Sequence, residues 1–166
     1  VLELPLAASE LIPVFDRHGV RFIVVGAVAA VAAGAPILTK DVDLLIDIEE
    51  GNLGRVLAAC AELGATYKDP AGRRILPDLE KLRTFRLHLL RTHWGEVDLM
   101  REIGDGWTYA ELLRRSAEVD LGTARVLVLD LEAVIESKRF ANRDKDRATL
   151  PVLEETLRLQ KLKAQA

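Results

Sequence analysis

The stretch from Phe22 to Ile46 constrains the fold most. Phe22, Ile23, Val24 and Val25 form a compact β-prone run that reaches Gly26, and the alanine-rich segment after it can turn into a helix. Gly34-Ala35-Pro36 interrupts that helix, and Asp41-Val42-Asp43-Leu44-Leu45-Ile46 resumes an extended pattern. Strand, tight turn, helix and second strand in close succession place the chain in the α/β (α+β) class.

Other segments extend this plan. Ala8 to His18 puts Leu11, Ile12 and Phe15 on one helical face, with Gly19 as a stop. Leu53, Val56, Leu57, Cys60 and Leu63 recur at helical spacing between Glu49 and Gly64. Lys68 to Leu79, with Pro70, Gly72 and Pro77, reads as an irregular loop. Leu82 to Leu90 and Glu96 to Met100 read as adjacent strands joined near His93-Trp94-Gly95. A short helix over Tyr109 to Arg114 and a small hairpin from Val119 to Leu129 follow. Asp130 is placed to cap a helix over Leu131 to Phe140, and Arg143 to Lys163 carries another apolar pattern in which Pro151 begins or bends a helix. The 166 residues read as a single domain.

A net charge of −3 carries no global nucleic-acid footprint, while 49% hydrophobic and 30% charged residues suit a packed core with an aqueous surface. The single cysteine, Cys60, excludes an internal disulfide, sits in a pattern that reads as buried, and suits a cytoplasmic setting without a disulfide-linked partner. No apolar run reaches the roughly 18 residues of a membrane span, and Val1 to Leu6 shows no basic region ahead of an apolar signal segment. Membrane association is not expected.

The chemistry concentrates in three carboxylates. Strand side chains alternate faces, so Asp41 and Asp43 can point together while Val42 and Leu44 enter the core. Asp98, in Glu96-Val97-Asp98-Leu99-Met100, can join them if the later strand lies alongside. Glu96 shares its parity and is the alternative: third ligand, surface acid or partner to a base. Three close carboxylates repel, and divalent cations stabilise their ionised forms. Oxygen ligands suit Mg(II) first and Mn(II) second. Such ions serve phosphoryl-type transfer, with Asp98 positioned to help activate a nucleophile. Gly26 lets the backbone approach a phosphate at a helix start, but the segment is neither a Walker A loop nor a Gly-x-Gly-x-x-Gly fingerprint. His18, His88 and His93 lack a partner at metal-ligand spacing, Trp94 and Trp107 are as suited to packing as to stacking, and Arg73, Arg74 and Lys81 read as a charged surface loop that could also guide an RNA acceptor.

The segment Val24-Val25-Gly26-Ala27, followed by Thr39-Lys40-Asp41-Val42-Asp43-Leu44-Leu45, resembles the nucleotidyltransferase superfamily of the DNA polymerase beta type, in its compact bacterial minimal and toxin-like members. The resemblance covers about Phe22 to Met100 and implies a small mixed sheet flanked by helices, with a catalytic core over about 20–100 and a C-terminal helical part over about 130–163. It implies Mg(II) held by Asp41, Asp43 and Asp98, and an NTP admitted at Gly26. Ala27 departs from the glycine or serine common there and leaves phosphate contact to backbone N–H groups. Lys138-Arg139-Phe140-Ala141-Asn142-Arg143-Asp144-Lys145-Asp146 resembles the C-terminal part of toxin-like relatives, which implies Lys138 and Lys145 as triphosphate contacts and Asp146 as a site-positioning residue. One continuous helix between Lys138 and Lys145 would turn both the same way, with Arg143 as the alternative contact. The implied reaction is transfer of a nucleoside monophosphate to an acceptor hydroxyl on RNA such as tRNA, on protein or on a small molecule, with an antitoxin as a candidate partner. A metal-dependent phosphohydrolase and a noncatalytic nucleotide-binding or toxin-partner module are the competing readings.

Overall fold

The computed structural model describes residues 3–166, so Val1 and Leu2 of the leader segment lie outside the described residues. Helix α1 (Leu6–Arg17) leads into β1 (Phe22–Val25), α2 (Gly26–Ala32), β2 (Asp43–Ile46) and α3 (Glu50–Glu62). Then come β3 (Thr66–Tyr67), α4 (Leu79–Thr84), β4 (Leu87–Thr92) and β5 (Gly95–Met100). A two-strand ribbon, β6 (Glu102–Ile103) and β7 (Trp107–Thr108), precedes α5 (Tyr109–Leu112) and a 3-10 turn over Leu113–Arg115. The chain ends in β8 (Ser116–Asp120), β9 (Arg125–Leu129), α6 (Leu131–Ala141) and α7 (Asp144–Gln165). Among the described residues no helix is long and apolar enough to cross a membrane.

Seven strands make one mixed sheet in the order β3-β4-β5-β2-β1-β9-β8. Its centre is β2, and beside it runs β1, whose four residues are all buried, paired antiparallel to β2 and parallel to β9. The parallel pairing of β2 with β5 places Asp43 opposite Asp98 and Leu44 opposite Leu99. Helix α3 packs on α1 and on α4, α1 also meeting β5, whereas α2 lies on β1, β2 and β9 and contacts α6, which packs on α7. The buried residues of β5, Val97 and Leu99, face the first helical group, so Asp98 and Met100 face the side that carries α2 and α6.

Several expectations change in the fold. The segment expected to be extended from Leu82 is helical through Thr84, because Asp78 Oδ1 accepts from Lys81 N at 2.8 Å and caps α4; the strand begins at Leu87. The expected hairpin begins earlier, at Ser116, and its second strand joins the main sheet beside β1. Pro151 lies inside α7 rather than at its start. Asp130 caps α6 as expected, accepting from Ala133 N at 2.6 Å, and Cys60 is buried.

Candidate active site

The carboxylate pair is built by strand register. Asp43 opens β2 directly after Val42, and Asp98 N donates to Val42 O at 2.8 Å, which continues the β2–β5 ladder past the strand end. Val42 and Leu44 are buried and Asp43 between them turns to the opposite face, as alternation requires. Asp98 stands opposite on the same face between buried Val97 and Leu99. Burial, reinforced by the charges of Asp98 and Asp41, pushes the Asp43 carboxyl up to about 7 against the pull of Lys145. Burial also raises Asp98, with Lys68 drawing it back down.

Gly26 makes this packing possible. Its φ of +65° belongs to the left-handed region, and a Cβ built there would overlap the Asp43 carboxylate, with Cγ only 3.1 Å away. The turn from β1 into α2 therefore depends on glycine for two separate reasons, its backbone conformation and the neighbouring acid.

Asp41, Asp43 and Asp98 line one cleft of about 500 Å³ together with Gly26, Lys138, Arg143 and Lys145. Asp41 sits at its exposed margin, before the strand, and its backbone N–H donates to Thr39 Oγ1 at 3.0 Å. The three carboxylates share the cleft, but among the described residues no three acid, imidazole or thiol side chains are grouped so that they could hold a metal ion together. The all-oxygen donor set, and two carboxylates held together against mutual repulsion, suit a hard divalent cation at Asp43 and Asp98. Glu96 is drawn off to Lys68, Nζ to Oε2 at 2.6 Å, which separates its role from that of Asp98.

The cationic side of the cleft comes from the α6–α7 junction. No single helix links Lys138 to Lys145: α6 ends at Ala141, Asn142 takes φ 49°, and α7 starts at Asp144. Both lysines still line the cleft, brought there by the turn instead of by helical phase. Asp146 lies beneath them, 0% exposed. Its Oδ2 accepts from Arg143 Nε at 2.7 Å and from Arg143 N at 3.1 Å, and its Oδ1 is 3.5 Å from Lys138 Nζ. Burial opposes ionisation of Asp146, but the Arg143 hydrogen bonds outweigh it and hold its pKa below the ordinary carboxylate range. Asp146 thus sets Arg143 and Lys138 in place without itself lining the cleft, and Ala27 is likewise absent from the lining.

By sequence the chain matches no protein-family profile and no curated protein. By structure it is similar to ANT(2")-Ia, solved in complex with adenylyl-2"-tobramycin, with a TM-score of 0.58 and 15% identity over 93% of this chain and 90% of that one. It is also similar to the lincosamide antibiotic adenylyltransferase LnuA, solved with lincomycin, with a TM-score of 0.61 and 12% identity over 90% of this chain and 96% of that one. The chain has the nucleotidyltransferase fold. Within the nucleotidyltransferase fold of this chain, the sequence reading left Arg143 as an alternative to the lysines, whereas the structure places it beside both. It missed Arg86, Leu87, Met100, Glu102 and Ile103, which also line the cleft. The alternation of β4 was the available signal: Leu87 and Leu89 share the parity of Arg91, out of the core. Arg73 and Lys81 are bound locally, to Asp69 at 2.9 Å and to Asp78 at 2.5 Å, and neither lines the cleft.

Proposed function

We propose that this chain transfers a nucleoside monophosphate from an NTP to an acceptor hydroxyl and releases pyrophosphate. The observation that carries this reading is the facing Asp43–Asp98 pair in a cleft also lined by Lys138, Arg143 and Lys145. Asp43 and Asp98, with Asp41 from the adjoining loop, would hold Mg(II), with Mn(II) as the substitute. A bound cation supplies electrostatic stabilisation of charge developing on the phosphate oxygens. Lys138, Arg143 and Lys145 neutralise the triphosphate, and Gly26 leaves the backbone open beside it. Asp98 orients the acceptor hydroxyl and accepts its proton. The hydroxyl oxygen bonds to the α-phosphorus, the bond from that phosphorus to the bridging oxygen breaks, and pyrophosphate departs. The working unit is one domain, a core over about 20–100 completed by the helices over about 130–163.

Acceptor hydroxyls of RNA, protein and small molecules all satisfy this chemistry. Two of the solved neighbours favour a small molecule, since one holds adenylylated tobramycin and the other lincomycin. A toxin role with an antitoxin partner rests on the resemblance of residues 138–146, and its signature is growth arrest on expression that Asp43→Asn relieves.

The test is incubation with α-labelled NTP, Mg(II) and candidate acceptors. Labelled adduct plus pyrophosphate is expected. Free nucleoside monophosphate without adduct would indicate a phosphohydrolase, and nucleotide binding unchanged by Asp41→Asn and Asp43→Asn without turnover would indicate a noncatalytic module.

A further inference from the structure

Helix α6 gives the cleft three residues on adjoining positions of one face, Ser137, Lys138 and Ala141. The chemistry above uses the lysine and leaves the serine without a role. Ser137 is half-buried and carries the one hydroxyl among the described residues that line the cleft. Helix α6 also packs on α2, whose first residue, Gly26, lines the same cleft. Gly26, Ser137 and Ala141 are all small, so a ligand can approach the start of α2 and the face of α6 closely.

In the free protein Ser137 Oγ donates to Val134 O at 2.9 Å. Helical geometry brings Lys138 N to the same carbonyl, because α6 runs from Leu131 to Ala141. Turning the hydroxyl into the cleft therefore leaves no backbone group unpaired, and its proton is free for an acceptor there. The neighbouring cations are partly engaged. Asp146 accepts from Arg143 Nε at 2.7 Å and from Arg143 Nη2 at 3.1 Å, and Lys138 Nζ lies 3.5 Å from the same carboxylate. They supply charge, but part of their donor capacity already belongs to Asp146. A neutral donor on the same wall adds a directed hydrogen bond without drawing on that network.

Resting on the transfer reading above, we infer that Ser137 binds the triphosphate: when the nucleotide enters, its hydroxyl leaves Val134 O and donates to a phosphate oxygen beside Lys138. No covalent bond to Ser137 forms, and the proton stays on Oγ. A hydrogen bond to a charged oxygen is stronger than one to a peptide carbonyl, so the exchange favours the bound state. Lys138, Arg143 and Lys145 attract the phosphates, and the shorter, directed hydroxyl contact fixes where they stop along α6.

The test is calorimetric titration of the full chain with inorganic tripolyphosphate and with α,β-methylene ATP and GTP, each with Mg(II). Ser137→Ala should weaken binding about tenfold, the scale of one hydrogen bond to a charged group. Ser137→Thr keeps the hydroxyl and should recover most of that loss. The Tm of Ser137→Ala should not fall, since alanine is the better helix former and Val134 O keeps its helical partner. The loss should be the same at low and high salt, whereas Lys145→Gln, which removes a charge, should lose most at low salt. Undiminished binding by Ser137→Ala, or a loss that Ser137→Thr does not restore, overturns the assignment of Ser137 alone. Failure of the parent chain to bind either tripolyphosphate or nucleotide overturns the transfer reading and Ser137 with it.

Discussion

The two ends of β2 hold acids in opposite circumstances. Beyond Ile46, Asp47 receives Arg21 Nε at 2.8 Å and Glu49 receives Arg21 Nη2 at 2.8 Å. Fully buried Asn52 ties the two strand ends together: its Oδ1 accepts from Arg21 N at 2.7 Å, and its Nδ2 donates to Asp47 O at 2.6 Å. Backbone N–H groups of Gly51 and Asn52, aided by Arg21, hold the Glu49 carboxyl below its usual range. At the other end, Asp43 faces Asp98 and is pushed up to about 7. One end is a matched network that closes β1, β2 and α3 together. The other retains like charges side by side, which destabilises the free chain and suits a ligand of opposite charge.

Removing charge at the two ends separates these roles. Asp43→Asn or Asp98→Asn should reduce nucleotidyl transfer about 10³-fold, the scale of losing a principal electrostatic group, without loss of fold. Initial rates with labelled NTP, alongside circular dichroism, check this; retained turnover in both variants would remove the basis of the site. Asn52→Ala should leave the cleft chemistry intact but destabilise the chain by about 3 kcal/mol, because three buried backbone bonds lose their partner. Urea unfolding measures that cost.

Gly26→Ala tests the carboxylate end from the backbone side. Its positive φ and the overlap with Asp43 should cost about 2 kcal/mol and displace the acid, so both Tm and transfer rate fall. Asp146→Asn should act through the cations it holds. Loss of its charge loosens Arg143 and Lys138 and raises KM for NTP about tenfold, with a smaller change in kcat. A kcat loss with constant KM would show that these cations serve the chemical step instead.

Asp43 also predicts a pH dependence. Because Asp43 is raised from 3.8 to about 7, the metal-free fold binds its proton more tightly than the unfolded chain does. Stability from this group is present below the ordinary carboxylate pKa and falls as pH rises through about 7. Urea midpoints in EDTA should therefore decline between pH 5 and pH 8, the decline should shrink in Asp43→Asn, and Mg(II) should offset it at pH 8. A flat profile in the parent chain would mean that the pair is relieved by another means.

Much of the carboxylate geometry was legible because it is local. Asp41-x-Asp43 and the bracketing of Asp98 by Val97 and Leu99 follow from alternation along a strand, and Asp130 announces its helix by its own side chain. The extended reading from Leu82 failed because apolar spacing alone does not distinguish a short capped helix from a strand start, and Asp78 decided it. The separate helices expected over Leu131 to Phe140 and from Arg143 onward are present, and the break between them falls at Asn142, one of the residue types that tolerates a left-handed turn, so the two lysines do not share one helix.

The sequence by itself determined which residues can alternate, cap or turn, and so which carboxylates and lysines were available, since these depend on neighbours a few positions away. Only the tertiary structure decided that β5 lies parallel to β2, that Arg143 and Lys138 rest on buried Asp146, and that one face of β4 stays uncovered beside Asp98. Strand order and helix coverage arise from contacts between distant segments, whose combined burial sets the arrangement that no local pattern encodes.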